Sequence, residues 1–244
     1  MSLYDYKGKP LQMEPYLNTT ISMFHRFGVC GASWDSGYYF KTANTAVQRE
    51  DVSWGANLAR RNGNVFRNYS DAGETTRSWL TTNACLPKML NDTACDLYIC
   101  TLGGNDSANL GMSYLGSLSD ITSHESYEDY PDTFYGNYGK IIEQIMEHAP
   151  KAKIVMIMSC SSSASEVRQA FSDAKDEIAE HYGIPHMNWS DDPWYTSSWF
   201  SNAKVQSHPT PVTLAGIACC FERLFSECVK ENYEYFRYYD GSSF

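Results

Sequence analysis

Apolar positions along this chain fall into two alternating rhythms. Short runs rich in β-branched and aromatic residues occupy 26–31 (RFGVCG), 64–70 (NVFRNYS), 96–104 (DLYICTLGG), 153–160 (KIVMIMSC) and 185–189 (PHMNW). Between them, 53–63, 74–90, 135–150 and 165–183 read as helices, and a final helix follows Pro211. Ile141, Ile145 and His148 recur at helical spacing, as do Val167, Phe171, Ala174 and Ile178. Gly63 and Gly183 stand where helix C-caps are expected, and Pro150 follows a helix end. The run IVMIM has no polar position, which fits a strand buried on both faces. Strands alternating with helices predict βαβ units. The expected fold class is therefore α/β: a three-layer α/β/α sandwich, flavodoxin-like in layout, with about five parallel strands. One domain, 26–244, follows an N-terminal arm, 1–25, that the pattern does not place. The acidic, poorly periodic segment 111–132 is expected to be a long functional loop.

Open parallel sheets bind ligands at the carboxyl ends of their strands, so the residues that follow each run carry the chemistry. Ser33 follows the first run, Gly73 the second, and Asn105 with Asp106 the third. His208 stands in the loop before the final helix. A hydroxyl, a histidine base, a backbone amide and a side-chain amide make a complete set for acyl transfer. Two other glycine motifs fail on spacing. Gly28, Gly31 and Gly37 do not form the dinucleotide-binding G-x-G-x-x-G pattern, and Asp35 takes the second glycine of a G-x-S-x-G nucleophile elbow.

Composition narrows the reading further. The 244 residues carry a net charge of −10, which argues against a nucleic-acid partner. Eight cysteines occur without C-x-x-C pairs or zinc-like Cys/His spacing, and Cys30, Cys100 and Cys160 fall inside apolar runs. Free thiols, no metal site and no cofactor are expected. The N-terminal residues lack a signal-like apolar core and no run is long enough to span a membrane. A cytoplasmic location is the default expectation, with a phage particle or cell surface as alternatives. Oligomeric state is left open.

These residues, in this order, resemble the block motifs of the SGNH (GDSL-type) hydrolase superfamily. Gly31-Ala32-Ser33 with Gly37 is similar to its first block and Gly73, with Asn68 upstream, to its second. Gly103-Gly104-Asn105-Asp106 matches its third block and His208-Pro209-Thr210 its fifth. The likeness covers residues 26–230, and several segments are also similar to prophage-type members from gut bacteria. It implies a Ser33 nucleophile, a His208 base, and an oxyanion hole built from the amides of Ser33 and Gly73 and the Asn105 side chain. Asp106 is expected to brace its loop. The aromatic segment around Trp194, Tyr195 and Trp199, with Trp34, either lines a substrate pocket or packs the loop onto the sheet.

Two positions depart from the family pattern. Ala32 replaces the Asp before the nucleophile, and Val205 stands three residues before His208, where the triad Asp usually lies. Without that carboxylate the histidine loses the group that fixes its tautomer and stabilises imidazolium. A backbone carbonyl or water could substitute, or a carboxylate from Asp191 or Asp192, or nothing. The expected function is a serine ester hydrolase acting on a small acyl group of a carbohydrate. The alternative is a weak or inactive glycan-binding module of the same fold, and a thioesterase or transacylase ranks third.

Overall fold

The computed structural model describes residues 20–82, 84–158 and 164–237. Chain order begins with β1 (Arg26–Gly31), α1 (Ser33–Ser36), β2 (Tyr38–Thr42), β3 (Thr45–Gln48) and α2 (Trp54–Asn62). It continues through β4 (Val65–Ser70), α3 (Thr76–Thr81), α4 (Leu86–Leu90), β5 (Leu97–Cys100), α5 (Ser119–Thr122) and α6 (Phe134–His148). After β6 (Lys153–Met158) come α7 (Glu166–Tyr182), β7 (His186–Asn188), α8 (Ser198–Asn202), β8 (Lys204–Val205) and β9 (His208–Pro209). The chain closes with α9 (Pro211–Glu231) and α10 (Tyr233–Phe236). The main sheet is five-stranded and parallel in the order β4-β1-β5-β6-β7.

Alternation along the central strands builds two cores. Phe27 and Val29 of β1, Leu97 and Ile99 of β5, and Val155 and Ile157 of β6 pack with Trp54 and Leu58 of α2 and with Leu214, Ile217 and Phe221 of α9. Cys30, Tyr98, Cys100, Ile154 and Met156 face the other way, onto Trp79, Phe134, Tyr138, Ile141, Phe171 and Ile178. Helices therefore cover both faces, as a parallel sheet with near-continuous apolar strands requires. Ile21 and Phe24 are buried beside α9, so the described end of the N-terminal arm joins this core. No described helix is long and apolar enough to cross a membrane.

Several boundaries differ from the sequence pattern. The helix expected over 74–90 is two helices, because Thr82 is extended (φ −79°, ψ 158°) and Pro87 begins a new helix after Cys85. The third strand stops at Cys100, so Gly103 lies in a loop and Gly104 opens the helical segment that continues to Leu110. The expected end of the β6 run, with Cys160, lies outside the described residues. The other seven cysteines are free thiols. Segment 111–132 is a string of short turns around α5, anchored by buried Tyr114, Ile121 and Tyr130. The sequence reading lacked both the β2–β3 hairpin and the two-residue ladder of β8 with β9.

Candidate active site

β1 delivers Ser33 to the carboxyl edge of the sheet, where the chain turns at once into α1. Gly31 is required there by contact: a Cβ would lie 2.2 Å from both Asp35 Oδ2 and Thr101 Oγ1. Gly37 closes the turn in a left-handed conformation (φ 79°), its N–H bonding Ser33 O. Asp35 is the brace. Its Oδ2 accepts from Ala32 N at 2.9 Å and Thr101 Oγ1 at 2.8 Å, and its Oδ1 accepts from Trp54 Nε1 at 2.8 Å. Burial pushes this carboxyl up against the downward pull of those donors. Ala32 has no side-chain cap to offer, so the carboxylate that holds the start of this turn comes from three residues downstream.

β8 and β9 deliver His208. Val205 pairs with His208 in the ladder, and the loop between them is Gln206-Ser207. Both loop residues are left-handed, with φ of 50° and 62°. Two-residue hairpins favour positive φ at both central positions, because that twist matches the flanking strands. The turn folds Gln206 O back onto the imidazole, 2.8 Å from Nδ1. A carbonyl can only accept, so Nδ1 carries the proton and neutral His208 has an unprotonated Nε2. Nε2 lies 3.0 Å from Ser33 Oγ and is left to accept its proton. The rings of Tyr38 and Phe40, on β2, meet the imidazole edge-on at 5.1 and 5.5 Å. The sequence reading missed both. The run YYFKTANTAVQ, with its small and polar turn residues at Ala43-Asn44, was the available signal.

Asn105 is tied to the turn that carries Gly73, through Glu74. Asn105 Nδ2 donates to Glu74 O at 2.9 Å, which leaves its second N–H for another acceptor. Asp106 Oδ1 accepts from Thr76 N at 2.8 Å and Thr76 Oγ1 at 2.6 Å, tying the β5 loop to the start of α3. Gly73 stands in the turn before α3 (φ 85°), with open space around it. Asn68 accepts from Ser70 N at 3.2 Å and donates to Ser36 O at 3.5 Å, so it links β4 to α1.

Other sequence candidates fall elsewhere. Asp192 is engaged by Arg223, Nε to Oδ2 at 2.7 Å and Nη2 to Oδ1 at 2.9 Å, and it also accepts from Trp194 N. Asp191 is exposed. Among the described residues, the hydrogen-bond partners of the His208 ring are Ser33 and Gln206, so neither aspartate serves it. Trp194 packs on Phe200 at 4.8 Å and against Gly216 of α9, and Tyr195 stacks on Trp189 at 5.7 Å. Those two rings chiefly hold their loop to the sheet. Trp34 is half-buried against Tyr195 and Phe200, while Trp199 is 53% exposed.

The GDSL-like Lipase/Acylhydrolase family matches residues 31–212, most of the chain, and the chain belongs to that family. The fold is shared with a candidate GDSL-like lipase from Bacteroides uniformis, at 20% identity and a TM-score of 0.59, over 86% of this chain and 99% of that one. A similar candidate from Bacteroides ovatus aligns at 17% identity and a TM-score of 0.59, over 83% and 98%. A carbohydrate esterase family 2 enzyme with a carbohydrate-binding domain, from Corynascus thermopiles, aligns at 15% and 0.57, over 84% of this chain and 67% of that one. No curated protein sequence matches the chain. Membership of that family places the chain among ester hydrolases of the SGNH type, and the neighbours share its fold.

Proposed function

We propose that the protein cleaves a carboxylic ester through an acyl-enzyme on Ser33, with His208 as base and then acid. The observation that carries this reading is the linear array Gln206 O, His208 Nδ1, His208 Nε2 and Ser33 Oγ, with contacts of 2.8 and 3.0 Å. Ser33 Oγ attacks the ester carbon as its proton passes to Nε2. The tetrahedral oxyanion is met by the N–H groups of Ser33 and Gly73 and by the free N–H of Asn105. Collapse expels the alcohol, which takes the proton from Nε2. Water, deprotonated by the same nitrogen, then attacks the acyl-enzyme, and the acid leaves as Ser33 regains its proton.

Gln206 O takes over one of the two tasks of a triad carboxylate. It fixes the tautomer and ring orientation, but as a dipole it stabilises imidazolium less than a full charge would. Turnover is accordingly slower than a carboxylate-supported site would give. The favoured substrate is a small acyl group on a carbohydrate, supported by the half-buried ring of Trp34, which follows the nucleophile in the chain. Hydrolysis of 4-nitrophenyl acetate and acetylated xylose, lost in Ser33→Ala and His208→Ala, tests the reading. Sugar binding that survives both substitutions, with no hydrolysis by the parent protein, would instead establish a glycan-binding module.

A further inference from the structure

Beside the loop that carries Asn105 lies a small pocket. Its walls include Thr101, Gly104, Ser107, Arg168, Ser172 and Lys175, and among the described residues no carboxylate lines it. Two cations and three hydroxyls therefore converge on one opening. The pocket adjoins the reaction centre through two links: Gly104 precedes Asn105 in the chain, and the Thr101 hydroxyl donates a hydrogen bond to the Asp35 carboxylate that braces the Ser33 turn.

The charge balance of the pocket is unfilled. Lys175 is only 4% exposed, and its Nζ donates to Ile157 O. An ammonium has three donors, and lysine is rarely buried this far without an anion. Among the described residues, no carboxylate lies within ion-pair distance of Lys175 or Arg168. Asp35, Asp106 and Asp176 act on Lys175 only at longer range. Asp35 is already committed to Ala32, Thr101 and Trp54, and Asp106 Oδ1 to Thr76. A third cation, Lys204, lies over the rings of Trp34 and Phe200 at 5.5 and 4.9 Å and is close enough to Arg168 to feel its charge. Residues 159–163, Ser-Cys-Ser-Ser-Ser, bring no carboxylate by sequence. A chain with 29 acidic and 19 basic residues has no surplus of cations to scatter, so two without acidic partners lining one opening call for an anion from outside.

We propose that this pocket binds a carboxylate carried by the ester substrate, on its acyl or its alcohol side, with Arg168 as the contacting residue and Lys175 as the buried counter-charge. A guanidinium fork suits a planar carboxylate, and the flanking hydroxyl of Ser172 supplies a further donor, that of Ser107 being given to Gly104 O. The substrate clause rests on the Ser33 esterase reading; the anion site does not.

The test has a binding arm and a kinetic arm. Glutarate, against glutaramide at matched ionic strength, raises the melting temperature of the parent protein, and Arg168→Gln or Lys175→Met removes that rise. In the kinetic arm, 4-acetoxybenzoate is compared with its methyl ester for the alcohol side, and 4-nitrophenyl hydrogen glutarate with 4-nitrophenyl methyl glutarate for the acyl side. The anionic member of one pair is preferred in kcat/KM by about tenfold, and the ratio falls toward one in Arg168→Gln and at high salt. Ser33-dependent turnover with no anionic preference and no glutarate effect overturns the pocket and leaves the esterase standing. A glutarate effect that persists in Arg168→Gln overturns it too. A glutarate effect lost in Arg168→Gln, with no ester turned over, upholds the pocket and refutes the esterase.

Discussion

Replacing Lys175 by Met separates the energetic cost of this buried cation from everything around it. Methionine keeps the stem volume without the charge. Burial pulls the Lys175 ammonium down from 10.5 to about 8, with the distant carboxylates opposing that fall. At 1.36 kcal/mol per factor of ten, holding the charged form in the fold costs about 3 kcal/mol. Below pH 8 both folded and unfolded chains are protonated, so the native state carries the whole cost. Between 8 and 10.5 the unfolded chain keeps a proton that the native chain has lost, and stability rises with pH. The parent protein therefore gains on Lys175→Met by about 1 kcal/mol between pH 7 and 9, and by about 2–3 kcal/mol between pH 7 and 10. Tyrosines and cysteines that titrate in this range are common to both proteins and cancel in the difference. At pH 7 the variant is the more stable by about 2 kcal/mol, since the orphaned Ile157 carbonyl gives back about 1 kcal/mol. Urea melts of both proteins at the three pH values measure this. Stability profiles that stay parallel from pH 7 to 10 would refute the reasoning, because an unperturbed lysine gives that result.

Val205→Asp places a carboxylate across the ladder from His208 and raises kcat toward esters by about tenfold, less than a full triad gains, because Gln206 O already fixes the tautomer; unchanged or lower kcat in a folded variant contradicts this. Ser207→Gly relieves a left-handed non-glycine residue (φ 62°) and stabilises the fold by about 0.5–1 kcal/mol in urea melts, and a loss of stability would show that the turn is not strained. Tyr38→Ala removes one of the two rings that hold the imidazole edge-on, and lowers kcat about tenfold with KM little changed; an equal rise in KM would point to substrate contact instead.

What could be read from the chain follows from the range of the forces involved. The βαβ rhythm was legible because β1, β5 and β6 are buried on both faces and leave near-unbroken apolar runs. Ser33 and His208, 175 residues apart, were legible as a pair only through strand-end logic and the motif resemblance. The histidine's partner was harder. A backbone carbonyl has no letter of its own, and Gln206-Ser207 lacks the Asn-Gly signature that usually marks such a turn. Asp192 looked available by position, yet Arg223 of α9, distant in sequence, takes it. Tyr38 and Phe40 were hidden for a different reason: their hairpin pairs with no strand of the main sheet, so the βαβ pattern had no place for it. The cationic pocket is tertiary throughout, drawing on the segment after β5 and on α7.

On the proposed reading Ser33 is an activated nucleophile although, among the described residues, no carboxylate supports His208. Intact-mass analysis after incubation with a fluorophosphonate, followed by mapping of the modified peptide, tests it without any assumption about substrate. One label per chain is expected on Ser33, and its loss in His208→Ala while the fold is retained. A folded parent protein that takes no label, or a Ser33 label that forms equally fast without His208, would contradict it.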